Sequence, residues 1–181
     1  MALTKIRDAG LPAGSVLQVV SHIETDFTYY AYASGTDELL IASNANDSTS
    51  HLSVSITPSS TSSKILLQAS VFYESSNVGN HELLWAFYRD STRLGAATTG
   101  SRRGGIAMNA ANYPAQDANS TPDSANILFV DTPSSTSAIT YAVSFNASHA
   151  ANLYLNRTVA DTNDIAFERG NSIIIATEIA G

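Results

Sequence analysis

The sequence predicts an all-β fold, an antiparallel β-sandwich of jelly-roll-like type with about ten strands, and three observations carry that prediction. Period-two alternation and short apolar runs recur from end to end, whereas helical periodicity is hard to find. The runs are bounded by Gly, Pro, Asn and Ser, the residues that close strands and make turns. One hexapeptide, TPSSTS, stands at 57–62 and again at 132–137, each time between an apolar strand and a strongly alternating one.

The strands follow in order. Runs at 15–23 and 27–33 come first, and the second holds Tyr29, Tyr30 and Tyr32, so that alternation sends at least one tyrosine outward. A short edge segment at 39–41 precedes a strand at 51–57. The clearest strand spans 64–74: Ile65, Leu67, Ala69, Val71 and Tyr73 share the face expected to meet the core, and Leu66, Gln68, Ser70 and Phe72 share the other. Strand 81–89 follows, then a hairpin turn over 89–93 before Leu94. Strands are read at 105–110 and 125–131, and at 138–146 Ile139, Tyr141, Val143 and Phe145 point one way, as in a half-buried antiparallel strand. The last are 152–156, a short edge segment at 164–167, and 172–179.

In both TPSSTS corners, proline ends a strand because it fixes φ and lacks an N–H, while the serines and threonines satisfy local backbone groups. Two strand–corner–strand units imply two related Greek-key halves; the alternative is convergent turn chemistry in a Ser-rich chain. Residues 13–181 form one domain, with 96–123 as a long Gly-, Ala- and Asn-rich excursion. Residues 1–12 read as an attachment arm, carrying Lys5 and Arg7 and ending in a Gly10-Leu11-Pro12 break.

Composition excludes several function classes. Hydrophobic residues make up 44% of the 181 and charged ones 14%, so the chain folds but presents a polar, weakly charged surface. A net charge of -7 argues against a nucleic-acid partner, which needs clustered Lys and Arg. Without cysteine there is neither a disulfide framework nor a thiolate metal site. The first 20 residues lack the apolar core of a signal peptide, and no window of about 18 uncharged apolar residues exists for a membrane span, so a soluble product made in the cytoplasm, without membrane insertion, is expected. The four N-x-S/T sequons, at Asn46, Asn119, Asn146 and Asn156, are what an Asn- and Ser-rich chain produces by chance.

No catalytic motif stands in the chain: there is no G-x-S-x-G, H-E-x-x-H, P-loop or G-x-G-x-x-G. A glycosidase pair would have to be assembled from distant carboxylates. His22, His51, His81 and His149 are scattered singly, none with a second ligand at metal spacing, and are read as surface or strand-edge residues with no metal or cofactor. Asp161, Asp164 and Glu168 lack the calcium-loop pattern and read as a solvated loop. Arg102 and Arg103, flanked by glycines, can fork onto carboxylates of a neighbouring subunit or sit in an exposed loop. Tyr29, Tyr30 and Tyr32 are candidate glycan contacts, or part of a subunit interface.

The runs LPAGSVLQVV (11–20), VSITPSSTSSKILLQASV (54–71), FVDTPSSTSAITYAVSF (129–145), LYLNRT (153–158) and SIIIATEIAG (172–181) resemble a group of phage tail-fibre-like and virion surface proteins, including capsid decoration proteins. The resemblance spans nearly the whole chain and supplies no catalytic residue. It implies a trimeric jelly-roll head on the virion surface of a tailed phage, used as a capsid decoration or short head fibre, or as a receptor-binding fibre tip for host surface glycans. With only about a dozen residues before the head and no shaft, the chain is expected to sit on another virion protein, of capsid or tail, through its arm or base. The expected trimer contact is the apolar strand around Leu83, Trp85 and Phe87, with Lys5, Arg7, Arg102 and Arg103 as attachment residues.

Overall fold

The computed structural model describes residues 11–76, 81–111 and 120–181, and these form twelve strands and no helix. In chain order they are β1 (Val16–Glu24), β2 (Thr28–Tyr32), β3 (Asp37–Leu39), β4 (Ser53–Ile56), β5 (Lys64–Ser75), β6 (His81–Arg89), β7 (Thr92–Leu94), β8 (Ala107–Ala111), β9 (Asp123–Asp131), β10 (Ile139–Asn146), β11 (Ala151–Leu155) and β12 (Ser172–Ile179). All pairings are antiparallel, in two six-stranded sheets.

Pairing registers reduce the twelve strands to eight columns. In the first sheet, β12 and β11 lie end to end along one edge of β5, and β9 runs along the other. Beyond them, β1 pairs with β12 and β2 with β11. In the second sheet, β3 and β4 lie end to end along one edge of β10, β6 takes the other, and β7 and β8 share the far edge of β6. Numbered along the chain, the columns run 1-8-3-6 in one sheet and 2-7-4-5 in the other. That is the winding of a jelly roll, two Greek keys closed on each other. The count exceeds ten because four columns are each broken into two strands.

The duplicated corner has a topological meaning. Its first copy carries the chain from β4 to β5, the second column to the third, and its second copy from β9 to β10, the sixth to the seventh. Both cross between sheets, at equivalent steps of the two four-column halves, as the repeat implies.

The core lies between the sheets. Ile65, Leu67, Ala69, Val71 and Tyr73 of β5 are buried, as are Ile139, Tyr141, Val143 and Phe145 of β10, in agreement with the alternation. The opposite face of β10 corrects the expectation of a half-buried strand: Ala142, Ser144 and Asn146 are buried as well, and Thr140 alone is exposed. Trp85 sits at the centre, its ring centroid 5.0 Å from that of Tyr73 and 5.7 Å from that of Phe145. Leu83, Trp85 and Phe87 are all fully buried, which corrects their assignment to a subunit interface: β6 turns this face toward the first sheet, where Trp85 meets Tyr73 of β5, inside the chain's own sandwich.

Two other expectations shift. Residues 164–167 form a tight turn rather than an edge strand, with the Ala166 N–H donating to the Asp164 carboxylate at 3.1 Å and the Phe167 N–H to the Asp164 carbonyl at 3.2 Å. The segment expected at 39–41 pairs instead as β3, because Ile41 already folds back, its N–H bonding the Leu39 carbonyl at 2.9 Å. The arm residues Lys5 and Arg7 lie outside the described residues, as does 112–119 of the long excursion.

Candidate functional site

The outer face of the first sheet gathers most of the exposed large hydrophobic residues among the described residues. Alternation along β1, β12, β5 and β9 puts one set of side chains into the core and the other outward, and the registers align the outward set in rows. One row reads Val19, Thr177, Leu66, Val130; the next Ser21, Ile175, Gln68, Leu128; the next Ile23, Ile173, Ser70, Asn126. Val16 and Ile179 extend the face at one end beside Lys64, the sole charged side chain among these outward positions.

Leu128 is 60% exposed, Ile23 56% and Val130 51%. Five of the eight large hydrophobic residues exposed among the described residues, Val16, Val19, Ile23, Leu128 and Val130, belong to this one face, so the exposure is concentrated rather than scattered. Four strands about seven residues long span roughly 450 Å² at ordinary strand spacing and rise. That whole face, which Thr177, Ser21, Gln68, Ser70 and Asn126 make polar in part, is about half of one partner's share in a standard interface.

At the β2–β11 end the same face becomes aromatic and charged. Tyr29 pairs with Tyr154, their ring centroids 5.6 Å apart, and the Arg157 guanidinium lies 4.6 Å from the Tyr154 centroid. Arg169 stands 4.4 Å over the exposed Phe27 ring. Both arginines converge on Asp161, which Arg169 grips in bidentate fashion at 2.9 and 2.7 Å and Arg157 approaches at 3.5 Å. The hydrogen bonds from Arg169, helped by both guanidinium charges, hold the Asp161 carboxyl below the usual carboxylate range despite some desolvation. Beside it, an open cleft of about 480 Å³ is lined by Asp161, Thr162, Asn163, Asp164, Phe167 and Arg169.

This geometry sorts the residues proposed from sequence. Of the three tyrosines only Tyr29 faces outward; Tyr30 and Tyr32 are buried, their hydroxyls bonded to the Ser50 carbonyl at 2.7 Å and to Ser75 Oγ at 2.8 Å, which removes them as glycan contacts. Arg103 pairs within the chain, with Glu82 and with the Asn146 carbonyl, at 3.2 and 3.0 Å. Arg102 is exposed. Asp161 is held by Arg169 and Arg157, and Asp164 accepts a hydrogen bond from the Ala166 N–H. The sequons at Asn146 and Asn156 hold buried side chains.

Sequence reasoning missed one cluster. His22 and Glu24 on β1 meet His51, whose ring stacks on that of His22 with centroids 4.1 Å apart. The two histidines are therefore not isolated. The H-x-E spacing already placed His22 and Glu24 on one strand face; nothing local tied them to His51.

No protein-family model matches the chain, and no curated protein matches it. Among solved structures, that of the infectious bursal disease virus Gx strain shares 15% identity at a TM-score of 0.41, over 98% of this chain and 43% of its own. The infectious bursal disease virus VP2 subviral particle shares 12% at a TM-score of 0.38, over 91% of this chain and 41% of its own. This chain thus spans less than half the length of either.

Proposed function

We propose that this chain is a non-enzymatic structural protein of a virion surface, a homotrimer that decorates the capsid of a tailed phage or forms a short head fibre. The observation that carries the reading is the outer face of the β1–β12–β5–β9 sheet. Outward rows in which Val, Ile and Leu outnumber Ser, Thr, Gln and Asn, with a single lysine, are costly to leave in water and suit burial against another protein. A heterologous contact between this face and a different surface of the next copy closes a three-fold ring. The resemblance of the TPSSTS-bounded runs to virion surface proteins supports the setting. The surrounding Ser-, Thr- and Asn-rich, weakly charged surface fits a particle exterior.

A second reading, recognition of a host glycan, draws on Tyr29, Tyr154 and the Asp161–Arg169 cleft. Aromatic faces beside fixed polar groups are what sugar rings stack and bond against. Imaging of purified particles carrying a label on this protein separates the two. Density at capsid three-fold positions supports decoration, density at the tail tip supports the receptor reading, and absence from purified particles overturns both.

A further inference from the structure

Two edge strands from opposite sheets meet at His22, Glu24 and His51. His22 and Glu24 lie on the inward face of β1, an edge of the first sheet, and His51 lies just before β4, an edge strand of the second. One ligand atom from each falls within 4.8 Å of the others, and no other such trio of His, Asp or Glu occurs among the described residues.

Three details prepare these groups for a cation. His22 Nε2 is buried and has no hydrogen-bond partner among the described residues; Glu24 Oε2, its nearest acidic oxygen, is 3.6 Å away, too far for a hydrogen bond. A buried ring nitrogen left unpaired is rare and calls for an explanation. His51 Nδ1 stands 3.1 Å from the Thr49 carbonyl, which can only accept, so the proton sits on Nδ1 and Nε2 keeps its lone pair. The Glu24 carboxylate is oriented by the Asp26 N–H on Oε1 at 2.9 Å and by the His51 N–H on Oε2 at 2.8 Å, leaving lone pairs free.

The geometry points to a divalent transition-metal site of the zinc class, with His22 Nε2, His51 Nε2 and one Glu24 oxygen as ligands. Two imidazoles and a carboxylate make a three-ligand set for tetrahedral zinc, with the fourth position left to water or to a group from a neighbouring molecule. Ligand atoms about 2.0–2.1 Å from one ion sit closer together than the present spread, so binding tilts the parallel rings until their nitrogens converge. The rings meet at 14°, and a tilt about each side chain's terminal torsion moves the nitrogens without moving the strands. The ion would staple the open edge of one sheet to that of the other, and its effect would be on stability.

The test is thermal unfolding of the chelator-treated full chain with and without Zn²⁺, beside the variants His22→Ala and His51→Ala and the control His149→Ala, whose histidine lies elsewhere on the surface. At free Zn²⁺ a hundredfold above Kd, Tm rises by roughly 5–10 °C in the unmodified chain and in His149→Ala, and the rise is lost in the other two. Absence of a rise in the unmodified chain, or a rise that persists in both site variants, overturns the site. Should His22→Ala fail to fold, His51→Ala and the visible spectrum of Co²⁺ bound to the unmodified chain decide: intense tetrahedral bands at one ion per chain support the site, and their absence refutes it.

Discussion

Glu178, fully buried near the end of β12, accepts hydrogen bonds from both the backbone N–H and the hydroxyl of Ser59, each at 2.6 Å. Ser63 Oγ adds a third at 2.7 Å on the same oxygen, and Gln18 Nε2 a fourth at 2.5 Å on the other. A carboxylate from the last strand thus clasps the first TPSSTS corner. The second corner closes on itself, the Ser137 N–H donating to Ser135 Oγ at 3.0 Å.

Removing the clasp strands the buried Ser63 hydroxyl and leaves the partly buried Ser59 and Gln18 donors to water. Glu178→Ala is expected to cost about 3 kcal/mol and Glu178→Gln, which keeps one acceptor oxygen, distinctly less. Urea unfolding reads both as shifts in midpoint; an alanine variant within 0.5 kcal/mol of the parent, roughly the scale of a neutral surface change, would show that water replaces the clasp.

The same site sets a pH dependence. Burial pushes the Glu178 carboxyl up, but the bonds from Ser59, Ser63 and Gln18 outweigh it and hold the group below the ordinary glutamate value of 4.5. A folded-state pKa below the unfolded one contributes stability that is fully present above the unfolded value and is lost as pH falls through the folded value. Asp47 and Asp161, also lowered, act in the same sense, and Glu38, raised by burial, in the opposite one. Stability should therefore fall on acidification below about pH 4.5, and more gently in Glu178→Ala. An equally steep fall in that variant contradicts the assignment.

Asn156 departs from β11 with φ of 62° and a fully buried side chain. Its Nδ2 donates to the Glu24 and Asp26 carbonyls at 2.9 and 3.0 Å, and its Oδ1 accepts from Ser172 Oγ at 2.6 Å. Asparagine tolerates the left-handed backbone and bonds on three sides. Asn156→Gly keeps the backbone but loses the bonds, about 2–4 kcal/mol; Asn156→Ala adds roughly 1–2 for the strained φ. Equal losses in the two would mean that the backbone there relaxes.

Trp85 is expected to behave as core. Trp85→Ala costs about 3–5 kcal/mol. Because its Nε1 has no hydrogen-bond partner among the described residues, Trp85→Phe forfeits packing alone and costs less. If Trp85→Ala leaves monomer stability intact and only loosens assembly, the interface reading of this strand returns.

That reversal shows what the sequence could carry. Alternation identified which residues share a face, and where the opposite face was polar, as along 138–146, it identified the inward one. Strand β6 alternates Leu83, Trp85 and Phe87 with Leu84, Ala86 and Tyr88, apolar on both sides, so its inside and outside depend on the partner sheet. Leu66 and Phe72, opposite Val71 on β5, belong to a second, partly apolar face whose neighbours lie in β1, β9 and β12. The broken columns were not legible, since pairing partners lie up to the whole chain apart. The His22–His51 contact escaped for the same reason.

Whether the outer face of the first sheet joins three copies is read by sedimentation of the purified chain, run beside the double variant Leu128→Glu, Val130→Glu. Both positions are more than half exposed in the isolated chain, so the change leaves its fold and Tm close to the parent's. The parent is expected to sediment at three times the chain mass and the variant as a folded monomer. A parent that stays monomeric at micromolar concentration, or a variant that still forms the trimer, contradicts the assignment of this face to assembly.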